Sequence, residues 1–599
     1  MIKVTDYIVK HLESYGITDV FIIAGGGAMH LNDSFGKSEK IRCICNHHEQ
    51  ASAIAAEGYA RQKQSLAVVN VTAGPGGLNA LNGVFGQWTD SVPVLYVSGQ
   101  VRLDTTVLAC PELNLRQLGD QEVRIVDVVK PVTKYAVTIT DANTIRYELE
   151  KAIYIATHGR PGPVWVDVPM NIQGSSVDED TLAPYVPEAS AAADLNKLSS
   201  EVDEIVALLN KAERPVIVAG HGIRLSGMMD VFKGMITKLG IPILSTLNGF
   251  DIMETDHPLA IGTIGSIGSR AGNFAMQNAD LVIFLGTRNN IRQVSYNWPS
   301  VARAAKKVCV DIDSSELQKP FLKYDLPICA DLKDLLPLLK EKTASATYDF
   351  SAWLKWCTER KLKYNAVLDS YKNLADCVNP YYFMEQLGFQ LGENATVVTG
   401  DATACICYFQ AGKVKKGQHV IWNSGCASMG YDLPASIGAA VASGKDVICL
   451  AGDGSLQMNI QELMTMTYLQ LPIKLFYLNN GGYISMKQTQ DNFFGRRMGA
   501  DKNSGVGFPD IMRIAEAYNL KATQIVSDKD LGAQIKAVLD MPGPVVCEVI
   551  LPTEYVFAPK LSSERKPDGR LVTKPMEDMF PFLDREEFQQ NMIIPIINE

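Results

Sequence analysis

Eight short runs of valine, isoleucine and leucine recur along the chain, at 65–71, 92–99, 163–169, 215–220, 281–286, 308–313, 446–452 and 473–480. They are nearly continuous in apolar residues, with no polar–apolar alternation. Such runs suit parallel strands covered on both faces. Parallel strands require long crossovers, and helical spacing fills the intervals between the runs. The pattern predicts an α/β chain of doubly wound, parallel-sheet domains. At roughly 150 residues per domain, a chain of 599 residues makes three or four of them.

Two polar stretches divide the chain. Residues 174–200 are rich in Ser, Pro, Ala and acids, and 341–352 is short and polar. They set expected domains at 1–175, 190–345 and 355–555, with 556–599 as a charged arm or lid. The 56 basic and 66 acidic residues give a net charge of −10. That offers no basic footprint for nucleic acid and no polybasic face for a membrane. No run of about 18 apolar residues marks a membrane span. The first residues, MIKVTDYIVKHLESYG, have helical spacing and lack the apolar centre of a signal peptide. The twelve cysteines are sparse, and Cys405 and Cys407 have no second pair at zinc spacing. Reduced, buried thiols in a cytoplasmic protein are the expectation.

Residues 446–480 carry the most specific chemistry. A strand ends at Gly452-Asp453-Gly454-Ser455, a helical pattern runs from about Asn459 to Gln470, and a second strand ends at Asn479-Asn480. One right-handed βαβ unit would bring Asp453 and Asn480 to the same sheet edge. A carboxylate and an amide oxygen are hard ligands, suited to Mg²⁺ or Ca²⁺. Glycines let backbone N–H groups close around a phosphate. GDG alone is a common turn. GDG followed, after 24 residues, by a paired asparagine at a strand end is far more specific.

That arrangement resembles the signature of thiamine diphosphate-dependent enzymes. The resemblance implies thiamine diphosphate and Mg²⁺, with Asp453, the Asn480 side chain and the Gly482 carbonyl as metal ligands, and Gly452, Gly454 and Ser455 at the diphosphate. The segment IRCICNHHEQASAIAAEGYAR (41–61) resembles the acetolactate synthase pattern His-Glu-Gln followed by Glu-Gly-Tyr-Ala-Arg. Glu49, at the start of a predicted helix, then takes the place of the glutamate that protonates the cofactor's aminopyrimidine. The cofactor supplies the electron sink and the protein supplies this proton relay. Glu57 stays structural. His47 and His48 are candidate acid–base groups, with His48 the one expected to face the site.

The resemblance extends over essentially residues 1–555. It covers VTAGPGGLNALNGVFGQWTDSVPVLYVSGQV (71–101), GRPGPVWVDVP (159–169) and NSGCASMGYDLPASIGAA (423–440). It implies Met429 as the residue wedged beneath the cofactor, Gln121 as an active-site amide, and Gly25, Gly26 and Thr403 as cofactor contacts. In the middle block, 265–276, 286–293 and 310–317 fall where acetolactate synthases bind a non-redox FAD, which implies FAD with Arg288 and Asp313 as contacts. The first domain would then hold the aminopyrimidine, the middle one FAD, and the third the diphosphate and metal.

The departures from the acetolactate synthase pattern cluster around the substrate. Pro-Lys-Asp becomes Pro169-Met170-Asn171. A Phe becomes Asp120. A Met and a Trp that close over the substrate fall at Ser485 and Thr489. A Gln-His pair becomes Thr403-Ala404. Small or polar groups replacing bulky ones imply an acceptor larger and more hydroxylated than pyruvate. GGGAMHLND (25–33), LRQLGDQEV (115–123), YISMKQTQDNFFG (483–495) and KPMEDMFPFLDREEF (574–588) resemble a subgroup tied to surface-polysaccharide and branched-sugar pathways. The implied activity is decarboxylation of a 2-oxo acid, pyruvate first, with transfer of the acyl unit to a ketone or keto-sugar. A true acetolactate synthase, or a simple 2-oxo acid decarboxylase, is the alternative. The family's active sites form across subunits, so a homodimer or homotetramer is implied.

Overall fold

The computed structural model describes residues 1–188, 194–565 and 568–597. Residues 189–193, inside the expected linker and at the expected start of the middle domain, lie outside the described residues, as do 566–567 and 598–599 of the expected arm.

Three six-stranded parallel sheets succeed one another along the chain. The first runs, edge to edge, Arg42–Cys45, Asp19–Ile22, Ala67–Val71, Val94–Gln100, Val164–Pro169 and Tyr135–Thr138. Numbered by chain order, this is 2-1-3-4-6-5. The third sheet, from His419–Ile421 through Thr396–Thr399, Val447–Gly452, Ile473–Asn479 and Val545–Ile550 to Lys521–Ile525, repeats the same order. The middle sheet differs. It runs Ala260–Thr263, Ile243–Ser245, Pro215–Ala219, Leu281–Leu285, Lys306–Asp311 and Leu326–Cys329, which is 3-2-1-4-5-6, the order of dinucleotide-binding folds. All eight apolar runs form strands, and the expected doubly wound α/β class is the observed one.

Two helices made largely of small residues join the first and third sheets. Glu49–Lys63 and Asp432–Ser443 are buried nearly all round, and their alanines belong to one core shared by both domains. The backbones touch. A Cβ on Gly58 would lie 2.1 Å from the Ala435 carbonyl oxygen, and one on Gly438 would lie 1.8 Å from that of Ala55. A side chain at either position would separate the helices.

The expected linker at 174–200 is partly ordered. Ser176–Val177 pairs with Ile2–Lys3, and a helix begins at Leu195. The arm expected as a possible lid runs back across the middle domain. Arg270, Asn273, Gln277 and Asn278, on a buried helix (Arg270–Asn278), bond to Met579, Glu577, Asn591 and Ile593. Arg303 adds an ion pair to the buried Glu577 at 2.7 Å. The twelve cysteines are all free. Six are buried as expected, but Cys45 and Cys329 are exposed, because both lie on edge strands. Among the described residues no helix is long and apolar enough to cross a membrane.

Gly438→Ala is expected to cost about 3 kcal/mol through overpacking, read as a lower urea midpoint. Gly36→Ala, in a helix (Met29–Lys37) where an added methyl meets nothing within 4 Å, should instead gain about 0.5–1 kcal/mol.

Candidate functional site

In the third sheet the first strand (Thr396–Thr399) leads outward to one edge, and the third (Val447–Gly452) leads toward the other. The crevice at their carboxyl ends is therefore a topological switch point, where open α/β sheets take ligands. Val447–Gly452 and Ile473–Asn479 are adjacent and parallel, with Gly452 opposite Leu478. Asp453 and Asn480, each the next residue or nearly so, share that edge as expected.

The two are linked through backbone. Gly482 N–H donates to Asp453 Oδ2 at 2.9 Å, and Gly454 N–H to Oδ1 at 2.7 Å. Asn480 Nδ2 donates to the Gly482 carbonyl at 3.0 Å, which fixes its amide with the oxygen turned the other way. Gly481 and Gly482 take φ of +63° and +144°. Burial pushes Asp453 up to about 6, against the pull of nearby backbone N–H groups of Gly482, Gly454, Asn480 and Gly481. A cation beside it would restore the charged form. The donors are a carboxylate, an amide oxygen and a carbonyl, all hard oxygens that fit Mg²⁺. Among the described residues no group of three or more His, Cys, Asp or Glu side chains forms a metal cluster elsewhere.

The turn beside these donors is built for a close ligand. At Gly452 an added methyl would meet nothing within 4 Å, so the turn faces open space, whereas at Gly454 it would strike the Tyr483 ring at 2.0 Å. Ser455 is engaged otherwise. Its hydroxyl donates to Asp432 and accepts from Gly430 N–H at 2.9 Å, which leaves only its backbone for a phosphate. Met429 lies one residue before that tie and is half-buried. Thr403 begins a helix (Thr403–Ala411) at the end of the neighbouring strand, and its hydroxyl is paired with Tyr555. Asp432, Tyr483, Asn459 and Tyr555 support the site without having been singled out from sequence. Asp432 stood as an acid opening an otherwise small, apolar helix, and that was the available signal.

A second cluster forms at the carboxyl ends of the first sheet. Glu49 opens its helix, half-exposed, and accepts from Asn79 Nδ2 at 3.0 Å. A Cβ on Gly76 would lie 3.6 Å from Glu49 Oε1 and 2.8 Å from the Thr72 methyl, and one on Gly25 would lie 2.5 Å from Thr72 Cβ. Gly25, Thr72, Gly76 and Glu49 thus border one space, and Gly26 faces open room. Gln121, exposed and at φ +60°, lies over Gly74, whose Cβ would meet its carbonyl at 2.2 Å. Asp120 precedes Gln121, Met170 and Asn171 open the short helix Met170–Gln173 after the strand Val164–Pro169, and Asn171 Oδ1 accepts from Leu103 N–H at 2.8 Å. His48 is the helix N-cap. Its Nδ1 accepts from Gln50 N–H at 3.1 Å, so the structure gives it a capping contact. His47 is exposed, and its N–H is held by Glu462. Glu57 is fully buried and paired with Arg61 at 2.9 Å.

Among the described residues no hydrogen bond or ion pair joins Glu49 to Asp453, Asn480 or Gly482.

In the middle domain a cavity of about 430 Å³ opens at the strand ends on either side of that sheet's own switch point. Arg288, Arg160 and Lys333 line it together with Asp90, Asp311 and Asp331. Asp313 does not line it. Its carboxylate caps a short helix (Ser314–Leu317) and pairs with Arg160 at 3.0 Å, whereas Asp311 lines the wall. His221, also in the wall, is pushed down to about 3 by burial and is neutral, so its Nδ1–H donates to the Asn248 carbonyl at 3.1 Å.

These sheets and clusters define an α/β protein whose two like domains each carry a glycine-bordered site at strand ends, one of them chemically suited to a diphosphate and a divalent cation. Three family profiles match: "Thiamine pyrophosphate enzyme, N-terminal TPP binding domain" over residues 2–123, the "central domain" over 202–339, and the "C-terminal TPP binding domain" over 399–549. The chain is 33% identical over 573 residues to Acetolactate synthase 1, chloroplastic, of Nicotiana tabacum, covering 94% of this chain and 83% of that one. It is 32% identical over 549 residues to the Acetolactate synthase large subunit of Lactococcus lactis, covering 91% and 92%. The chain belongs to the thiamine pyrophosphate enzyme family, as an acetolactate synthase-like enzyme dependent on thiamine diphosphate.

Asp453→Asn keeps the shape but not the charge, and should weaken Mg²⁺-dependent thiamine diphosphate binding by about a hundredfold or more by calorimetry. In the wild type, apparent Mg²⁺ affinity should fall as the pH drops through about 6, where the Asp453 carboxylate takes up a proton.

Proposed function

We propose that the chain is a carboligase that decarboxylates a 2-oxo acid, pyruvate, and passes the acyl unit to a ketone or keto-sugar acceptor larger than pyruvate. Thiamine diphosphate, when bound, supplies the electron sink that stabilises the carbanion left by loss of carbon dioxide. Asp453, the Asn480 amide oxygen and the Gly482 carbonyl would hold Mg²⁺ against the diphosphate. The Gly452–Gly454 turn and the Ser455 backbone would approach the phosphates, while Gly25 and Gly26 border the ring pocket. Glu49 would hold and move the proton at the aminopyrimidine ring, in a pocket whose glycines leave room for it. Gln121 would hydrogen-bond the reacting oxygens. His48 is kept as a secondary acid–base candidate, with its Nδ1 committed to the cap.

The observation that carries the larger acceptor is the helix Ile484–Phe494, which follows directly on the Asn480–Gly482 loop. Ser485 and Thr489 are exposed on one face of it, four residues apart, and Thr489 Oγ1 donates to the Ser485 carbonyl at 2.9 Å. Where the resemblance places this helix beside the acceptor, two short hydroxyl side chains would leave space that bulky apolar ones would close, with the Ser485 hydroxyl available for hydrogen bonding. The names of the relatives favour the second reading, a true acetolactate synthase using pyruvate twice. A simple decarboxylase would release the aldehyde.

The middle-domain cavity supports non-redox FAD as a third cofactor, with Arg288 and Asp311 at the wall and Asp313 outside it. The resemblance to acetolactate synthases supports at least a homodimer, in which each site would draw Glu49 from one copy and the metal donors from the other, with a tetramer as the larger form. The domain limits 1–175, 190–345 and 355–555, with a strap at 556–599, and a cytoplasmic location complete this reading.

Pyruvate alone and pyruvate with a panel of ketones and keto-sugars should be compared by mass spectrometry of the products. Cross-products dominating with the larger ketones are expected. Acetolactate formed efficiently as the sole product would overturn the larger-acceptor reading. Glu49→Gln should lower turnover by about 10²–10⁴-fold with the cofactor still bound, and full activity would remove Glu49 from its role.

A further inference from the structure

The loop Asn423–Gly430 carries Met429, but its opening half is held from the first domain. Asp90 ends the helix Leu81–Asp90, and its side chain is only 2% exposed. An acid at the last residue of a helix opposes the helix dipole, so its place is set by what it holds and not by local preference. Its carboxylate accepts Ser424 N–H at 2.8 Å and Gly425 N–H at 3.0 Å. It also accepts the Arg61 guanidinium at 3.0 Å and the Asn248 amide at 3.2 Å. Four donors from three domains converge on one side chain, and two of them are the backbone of the loop.

The far end of the loop is tied to the third domain. Gly430 N–H donates to Ser455 Oγ at 2.9 Å, and its carbonyl accepts from Asn459 at 2.7 Å. Between these anchors Ala427 takes φ +51°, a left-handed conformation that a residue with a Cβ enters only when its surroundings impose it. Met429 therefore sits on a stretch whose path is set by its two ends.

We infer that Asp90 is a positioning residue for the thiamine site, acting through the Ser424 and Gly425 N–H groups to set where Met429 stands. The inference rests on the reading that Met429 borders the thiamine diphosphate. A carboxylate suits the task because all its lone pairs accept. The amide of an asparagine would turn an N–H toward one of the same donors. Arg61, shared with Glu57 at 2.9 Å, balances the charge and keeps a partner if Asp90 is neutralised.

The test uses the full chain. Asp90→Asn should raise the dissociation constant for thiamine diphosphate with Mg²⁺, read by intrinsic tryptophan fluorescence, about tenfold or more. Hydrogen exchange in the metal- and cofactor-free protein should speed up across 423–430 while the helices Glu49–Lys63 and Asp432–Ser443 keep their protection. Gly425→Ala leaves Asp90 intact but places a methyl 2.4 Å from Thr89 Oγ1 and 2.8 Å from Asp90 Oδ1. It should weaken binding in the same way even if Asp90→Asn folds poorly. Wild-type affinity in both variants, or faster exchange spread equally over loop and helices, would overturn the inference. Absence of saturable binding by the wild type would overturn the cofactor reading itself, and the role of Asp90 with it.

Discussion

The crossing of two helices without side chains between them is the constraint on which the rest depends. Gly58 lies against the Ala435 carbonyl and Gly438 against that of Ala55. Close approach of this kind fixes both separation and angle, because neither helix can rotate without driving a Cβ into the other's backbone. Helices buried on every side cannot use an apolar stripe for orientation, and small residues all round take its place. The two sheets share one strand order, and in each the crossing helix connects the second strand to the third. Each of these helices opens on an acid. Glu49 stands half-exposed at a pocket bordered by glycines, while Asp432 is fully buried and holds Ser455. One architecture used twice therefore gives one acid a route to solvent and ligand, and commits the other to support.

The middle sheet stands apart in order and in the use of its polar residues. Its 3-2-1-4-5-6 arrangement places a cavity at the switch point, against Asp90 and Ser424 of the flanking domains. On the helix Arg270–Asn278 the polar residues Arg270, Asn273, Gln277 and Asn278 fall at i, i+3, i+7 and i+8, which by spacing alone reads as a solvated or ligand-facing stripe. They bond instead to a strap from the far end of the chain. Buried polar groups must find partners, and here the partners come from about 300 residues away in sequence, beyond the reach of any local pattern.

Which strands could be read from sequence follows only in part from where they lie, since Asp19–Ile22, Thr396–Thr399 and Val545–Ile550 are also interior and buried and were not among the eight runs. Val94–Gln100, Val164–Pro169, Leu281–Leu285 and Val447–Gly452 are interior, buried on both faces, and stand out as apolar runs. Lys521–Ile525 and Leu326–Cys329 are edges, with exposed and buried residues mixed, and leave little apolar signal. Arg42–Cys45 is also an edge, and was legible only because the Glu49 motif follows it. The βαβ geometry of Asp453 and Asn480 was legible because strand, turn and strand are contiguous. That Asp311 lines the middle-domain cavity while Asp313 caps the next helix was not, because a residue two positions along a turn changes from wall to helix cap with no change in composition. Nor were the capping bond of His48 and the engagement of Ser455, which depend on partners brought in by the fold.

The buried acids explain how an anionic chain can serve an anionic cofactor. Asp432 and Asp453 are both pushed up to about 6 by burial, against hydrogen bonds that pull the other way. A carboxyl group whose folded pKa is raised binds its proton more tightly folded than unfolded. Its contribution favours the metal-free fold at low pH and is lost as the pH rises from the ordinary carboxylate range through about 6. Near neutrality both groups are thus sources of strain in the bare protein. For Asp432 the Ser455 hydroxyl and the Leu433 N–H offset part of it. For Asp453 the Gly454 and Gly482 N–H groups offset part of it, and a cation there would offset more and carry charge that suits a diphosphate. The negative surface then has no bearing on cofactor choice. On the proposed reading phosphate recognition would be local, made by glycine turns and a metal ion, and the burial of Asp453 would make the two ligands depend on each other.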